Sequence, residues 1–323
     1  MIRRVHITET GGPEVLKLER ADLADPGPGE ARVRHTAIGL NYIDTYHRTG
    51  LYPLPLPTGL GVEAAGEVLA TGEGVSQIKP GDRVVYFYVP GSYADEVNIP
   101  AERLVILPDT IAEDEAAAGF LKGLTAEYLL RRTYPVKAGE TILVHAAAGG
   151  VGLILCQWAK RLGCTVIGTA GSEDKAELAR DHGADHVILY REEDFVARTR
   201  ELTDGAGVPV VYDSVGKDTV PGSMQCLQPR GMLVSYGNAS GLPAPIGFEE
   251  MGARGSLFMT RPSLFNYVTT RAELELASEA LFDQWGAGHI RVAVRQTYPL
   301  DEVRRAHEEM EARTTVGSSV LIP

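Results

Sequence analysis

Apolar residues recur along this chain in two rhythms. Before residue 112 they come in short runs, such as ARVRHTAIGL, AAGEVLATG, DRVVYFYV and RLVILP. Turn signals, including Pro80-Gly81-Asp82 and Pro90-Gly91-Ser92, separate these runs, and Val33, Val84, Val85 and Val105 lie within them. Short β-branched runs bounded by Gly and Pro predict strands joined by irregular loops. At IAEDEAAAGFLKGLTAEYLLRR the period becomes helical and alanine-rich. Strand-like and helix-like segments then alternate: TILVHA before VGLILCQWAKRLG, TVIGTA before SEDKAELARDHG, DHVILY before EEDFVARTRELT, and VPVVYDSV before a short helix near SMQCLQP. GMLVSYG and SLFMTRP follow as further strands.

Strands alternating with helices imply right-handed crossovers and a parallel sheet with helices on both faces. Beyond 262 the pattern is mixed again, with helices RAELELASEALFDQWGAG and DEVRRAHEEMEA and strands VRQTYPL and SSVLIP. The expectation is an α/β chain: a Rossmann doubly wound parallel sheet, residues 123–261, inserted in a discontinuous β-rich domain, residues 1–122 and 262–323. A cleft between two such domains is the expected place for a substrate.

Composition narrows the function classes. Apolar content of 44% and charged content of 23% are those of an ordinary globular protein. A net charge of −12 without a basic tract weighs against nucleic acid as a partner. The three cysteines, Cys156, Cys164 and Cys226, have no paired spacing, which suits a reducing cytoplasm. The opening MIRRVHITET lacks the apolar core of a secretory signal, and no run has the length of a membrane helix.

Residues 144–153, VHAAAGGVGL, carry the clearest chemical signal. A dinucleotide turn places separate glycines for the tight turn, for backbone approach to pyrophosphate and for helix–strand packing. Gly149 and Gly152 keep the second and third roles, and Ala147 stands in the first, which a methyl group tolerates at negative φ. The helix beginning near Gly150 offers its N-terminus to phosphate. At the end of the second strand, where an acid would bind the ribose of NAD, stands Ala170, followed by Gly171, Ser172 and Lys175. An absent acid and a nearby lysine favour NADPH over NADH, although Glu173 and Asp174 sit beside that lysine. The alternative for Lys175 is a solvated helix charge.

Gly139-Glu140 and Leu143, then Ala147-Ala148-Gly149-Gly150-x-Gly152, then Gln157 and Lys160, resemble the signature of the quinone oxidoreductase/zeta-crystallin family. That family lies within the medium-chain dehydrogenase/reductase superfamily, and the resemblance is to its bacterial NADPH:quinone reductase branch. NYIDTYHRTGLYP, GLGVEAAGEV and TRPS…YPLDEVRRAHEEMEAR…GSSVLIP match it as well, in order. The resemblance implies a GroES-like β-rich catalytic domain, NADPH as cofactor and a quinone as hydride acceptor. It also implies a homodimer paired through the edge strand in GSLFMTRP. Related zinc alcohol dehydrogenases carry a Cys, a Gly-His-Glu and a second Cys as catalytic ligands. Here Asn41 stands first, Val62 precedes Glu63, and no cysteine occurs before Cys156. Asn and Val cannot replace thiolate and imidazole, so no metal is expected.

Without a metal, the acceptor must take hydride unaided, which a quinone does because reduction restores aromaticity. Asn41, Asp44, Tyr46 and Tyr52 are the candidate catalytic residues, with Asn41 as a hydrogen-bond donor and the tyrosines as phenol donors and flat faces. Asp44 has a purely structural alternative, a bond to a loop N–H or to Arg48, and each tyrosine has one as a packing residue. The resemblance places Asn41, Ile43, Thr125 and Tyr128 at the nicotinamide half of the cofactor. Ala148, Gly149, Gly150 and Val151 belong to the pyrophosphate turn, and Gly171, Ser172, Lys175 and Tyr190 to the adenosine phosphate. Ser214, Gly237, Asn238 and Arg261 follow later strands. Two other functions fit the same fold: an NADPH-dependent enoyl or alkenal reductase, and a non-catalytic zeta-crystallin-like protein that binds nucleotide or RNA.

Overall fold

The computed structural model describes residues 1–88 and 90–323. It divides into two compact units: Met1–Lys122 with Leu274–Ser278 and Val292–Pro323, and Gly123–Glu273 with Glu279–Arg291.

The first unit is β-rich. A three-stranded sheet orders Lys17–Ala21, Ile2–Ile7 and Thr58–Gly59. A seven-stranded sheet runs Val294–Pro299, Ser318–Ile322, Glu30–Leu40, Glu63–Thr71, Arg83–Phe87 and Val105–Ile106, with Glu96–Pro100 also pairing on Glu30–Leu40. Along Glu30–Leu40, Ala31 and Val33 point alternately inward and a register shift between His35 and Ala37 brings Ile38 into the same core, shared with Val5, Leu60, Val84 and Leu321. The sequence reading takes NYIDTYHRT only as a site. It is in fact the helix Tyr42–Thr49, capped by Asn41 and ended by Gly50 at φ 80°.

The second unit is a six-stranded parallel sheet. Its order is His186–Leu189, Thr165–Ala170, Thr141–Val144, Val208–Asp213, Leu227–Ser235 and Phe258–Thr260. Numbered from Thr141–Val144, that order is 3-2-1-4-5-6, the doubly wound nucleotide-binding arrangement expected from the alternating pattern. Helices Gly150–Arg161, Glu173–Asp181 and Phe195–Leu202 make the first crossovers.

Most of residues 262–291 packs with the parallel sheet, whereas the sequence reading assigns this stretch to the β-rich domain. Particular contacts hold it there. The Arg291 N–H donates to Gln157 Oε1 at 2.9 Å, and Gln157 Nε2 donates to the Arg291 carbonyl at 3.1 Å. Tyr267 stacks on Tyr128 at 4.4 Å between ring centres. Gly123 admits Leu281, whose methyl groups would lie within 2.6 Å of any β-carbon there. Among the described residues no helix is long and apolar enough to cross a membrane.

Candidate active site

In the β-rich unit, three elements meet at Glu63. This residue opens the strand Glu63–Thr71 and is fully buried. Asn41 ends the neighbouring strand and caps the helix Tyr42–Thr49, while Leu121 and Lys122 come from the helix Glu113–Tyr128. Asn41 Nδ2 donates to Glu63 Oε2 at 2.7 Å, and the Leu121 N–H donates to Oε1 at 2.5 Å. The Lys122 ammonium stands 3.6 Å from Oε2, and its side chain is only 8% exposed. Gly39 makes the space, because a β-carbon there would lie 2.5 Å from Glu63 Oε2 and 2.2 Å from the Ala117 carbonyl. Burial raises the Glu63 pKa, and the nearby ammonium, the Asn41 amide and the Leu121 N–H oppose that rise.

Behind Asn41 lies a buried chain of hydrogen bonds. Arginine only donates, so Arg48, 3.1 Å from His307 Nδ1, fixes the imidazole proton on Nε2. That Nε2–H faces Tyr93 Oη at 3.1 Å, and the phenol donates to Asp44 Oδ2 at 2.8 Å. The Asn41 main-chain N–H donates to the same oxygen at 2.9 Å, which makes Asp44 part of the helix cap. Arg48 is bonded to Glu311 at 2.7 Å and to the Gly11 carbonyl, so it reaches Asp44 only through His307 and Tyr93. Burial drives the His307 pKa down to about 3, with Arg48 adding to the fall. Burial pushes Asp44 up to about 7, against the two hydrogen bonds and Lys122. Its second oxygen, Oδ1, has no hydrogen-bond partner.

The tyrosines form a separate cluster. Tyr46 is buried and packs on Tyr42 at 5.8 Å and on half-buried Tyr52 at 5.1 Å. Ile43 is half-buried on the same helix.

In the parallel-sheet unit, the alanine-led turn has its own geometry. The left-handed φ of 52° falls on Ala146, not on Ala147. The Ala147 methyl fits because the neighbouring strand carries Gly168, where a β-carbon would lie 2.7 Å from it. Gly152 packs helix on turn: a β-carbon there would sit 2.3 Å from the Ala146 carbonyl oxygen. Gly149 caps the helix Gly150–Arg161 without a side-chain bond, so Ala148, Gly149, Gly150 and Val151 line a helix N-terminus of bare backbone. Beneath the turn, Thr169 Oγ1 accepts from the Ala146 N–H at 3.3 Å and pairs with His145 Nδ1 at 3.0 Å. His145 Nε2 meets Ser223 Oγ at 2.9 Å, and Ser223 donates to Asp213 at 2.8 Å.

At the end of the second strand Ala170 is buried, and Gly171 lies under the Tyr190 phenol, 2.7 Å from where a β-carbon would be. Ser172 caps the next helix without using its hydroxyl on that helix. Glu173, one of the two acids beside Lys175, is paired with Arg180 at 2.7 Å. Further loops interlock. Gly237 approaches Ser214 so closely that a β-carbon would lie 2.4 Å from its carbonyl. With its amide turned so that the oxygen faces the guanidinium, Asn238 donates to the Gly237 carbonyl at 2.9 Å and accepts from Arg261 at 3.2 Å, and Arg261 also donates to the Ser235 carbonyl at 3.0 Å. Thr125 and Tyr128 are buried on one helix, with Tyr128 against Tyr267.

Two family models match the chain, "Alcohol dehydrogenase GroES-like domain" over residues 27–134 and "Zinc-binding dehydrogenase" over residues 150–278. A quinone oxidoreductase of Pseudomonas aeruginosa is 52% identical, with all of both chains covered. The crystal structure of Escherichia coli quinone oxidoreductase complexed with NADPH is 53% identical. It covers 99% of this chain and 100% of its own, at a TM-score of 0.98. A 2-haloacrylate reductase of a Burkholderia species is 47% identical over 100% of this chain and 99% of its own. This chain belongs to the quinone oxidoreductase family of the medium-chain dehydrogenases/reductases.

One family-model description implies zinc, and the residues here do not fit it. The Glu63 carboxylate beside Asn41 already holds an ammonium, an amide and a main-chain N–H. Position 62 is Val, and among the described residues no group of three His, Cys, Asp or Glu side chains is placed to hold a metal ion. For a quinone oxidoreductase family member, sequence reasoning singles out Asn41 but gives no role to Glu63 and overlooks Lys122, Tyr93 and His307. Asn41 and Asp44, spaced as a cap and its third helical residue before Gly50, were the available signal for the helix. Nothing local in the sequence marks Lys122 as the partner of Glu63.

Proposed function

We propose that this chain reduces quinones with NADPH, by hydride transfer without a metal. The observation that carries the reading is the internally neutralised Glu63. With Lys122 as its counter-ion, the Asn41 cluster has no donor left for a Lewis acid, so the acceptor must be electrophilic by itself. Quinones are, and the relatives of P. aeruginosa and E. coli bear that activity in their names.

NADPH, when bound, supplies the hydride. The residues present fit such a cofactor. The backbone of Ala148–Val151 holds the pyrophosphate, and Gly171, Ser172, Lys175 and Tyr190 hold the 2′-phosphate beside Ala170, where an acid would repel it. Thr125, Tyr128, Ser214, Gly237, Asn238 and Arg261 hold the rest, together with Asn41 and Ile43. The free Asn41 amide N–H donates to a carbonyl oxygen, and Tyr46 and Tyr52 give an aromatic acceptor flat faces and a phenol. Asp44 acts by capping the helix that carries them. Protons on the product come from water. The protein works in the cytoplasm as a homodimer, paired along the open edge of Phe258–Thr260, where Phe258 is 56% exposed.

A stopped-flow screen of NADPH oxidation against o-quinones, p-quinones and enones tests this, with faster turnover expected on quinones. The kinship with a 2-haloacrylate reductase supports a second reading, reduction of an activated carbon–carbon double bond. Enone turnover with inert quinones would establish that reading instead. Metal analysis should find no stoichiometric zinc, and one zinc per chain with chelator-sensitive activity would sink the metal-free mechanism.

A further inference from the structure

We infer that Glu63 and Lys122 are positioning residues that fix which way the Asn41 amide faces. The inference rests on the proposed reading, in which the free N–H of that amide serves the reaction. A carboxylate has only acceptor atoms, so Asn41 must turn its Nδ2 toward Glu63, as its 2.7 Å bond shows. One amide hydrogen is thereby committed and the other is held in a single direction. This works only while Glu63 carries its charge. In a fully buried site a protonated carboxyl would place an O–H against the amide and reward the opposite orientation. Lys122 supplies the compensating charge from 3.6 Å, with its ammonium buried and without a hydrogen bond within reach. An ammonium so placed, beside a carboxylate that also holds a helix N–H, acts through charge on its neighbour. Gly39 adds a steric condition, since any side chain there would displace the Glu63 carboxylate.

The test uses Glu63→Gln, Lys122→Met and the double variant, each assayed for melting temperature, NADPH affinity and quinone turnover. Each single change leaves one buried charge alone, so both should melt well below wild type. The double variant has no buried charge to strand. The carbonyl of the substituted side chain takes the Leu121 N–H, and its amide N–H faces Asn41, which must turn over to accept. Melting should therefore return toward the wild-type value while kcat stays down by about a hundredfold, the loss typical of a misdirected donor. A double variant that regains both melting and kcat would overturn the inference, because the pair would then be structural only. So would one that fails to regain melting, because the two charges would not be compensating one another. Wild-type NADPH oxidation is measured first. If quinones are not reduced there, the proposed function fails, and that result is separate from any pattern among the variants.

Discussion

Each unit buries a histidine in a hydrogen-bond chain that ends on an aspartate, and the two aspartates are treated differently. In the parallel-sheet unit, Asp213 Oδ1 accepts from the N–H groups of Val215 and Gly216 and from Thr219 Oγ1, at 2.9 to 3.0 Å. Its Oδ2 accepts from Ser223, which links it through His145 to the turn at Ala146. In the β-rich unit, Asp44 is equally buried but receives both its bonds on Oδ2, while Oδ1 receives none. A carboxylate needs donors on both oxygens to remain charged out of water. Asp44 has donors on one oxygen only, and burial takes its pKa up to about 7. Burial by itself therefore says little about a charge. The count and placement of donors decide whether it is anchored or under tension.

The largest test of this contrast is pH. From the ordinary carboxylate range up to about 7, the folded chain keeps a proton on Asp44 that the unfolded chain has released. The stability this contributes is complete below the unfolded pKa and is lost as pH rises through the folded one, by roughly 4 kcal/mol in all. Asp44→Asn removes that loss. Urea midpoints of wild type and variant should thus diverge in favour of the variant from pH 4 to pH 8, and parallel curves would show that Asp44 is ionised throughout.

Asp213→Asn should act in the other direction. It weakens charge-assisted bonds to two N–H groups and two hydroxyls, at a cost of about 1.5–3 kcal/mol at neutral pH. A neutral or stabilising result by the same denaturation would erase the difference between the two sites. A smaller and more local effect is expected at Lys175. Lys175→Ala should weaken NADPH binding by about ten- to a hundredfold and leave NADH nearly unchanged. Equal losses in fluorescence titrations would mean that Lys175 supports its loop instead of a phosphate. The slightest change in fold stability belongs to the sheet edge. Phe258→Lys should alter it by no more than about 0.5 kcal/mol, yet it should yield monomers in light scattering at micromolar concentration. A persistent dimer would place the interface elsewhere.

The parallel-sheet unit was legible because its information is local. VHAAAGGVGL, the acid-free end of TVIGTA and the regular strand–helix alternation all lie within short windows of sequence, and they imply the doubly wound parallel sheet that is found. The β-rich unit was legible as strands but not as a site. Glu63 meets Asn41 from 22 residues away, and His307 reaches Tyr93 across 214. No periodicity announces such pairs, because they depend on which strands become neighbours. Asp44 shows the limit well. Its place in NYIDTYHRT suited both a catalytic-site residue and a structural bond to a loop N–H or to Arg48, and the structure bonds it to the Asn41 N–H and to Tyr93.

The alanine of the nucleotide turn has a consequence for how such sites are read across genomes. Ala147 and Gly168 behave as one volume shared by the turn and the neighbouring strand: the methyl missing from one position is present at the other. Restoring the consensus glycine at 147 alone would leave both sides bare, a small void where two backbones should meet. Adding a methyl at 168 alone would crowd the same spot. A change at either position alone leaves this spot too loose or too tight, so the two positions are coupled through one contact. The turn reads as degenerate only when its letters are taken alone, because the methyl added at Ala147 is accommodated by the bare Gly168 of the adjacent strand.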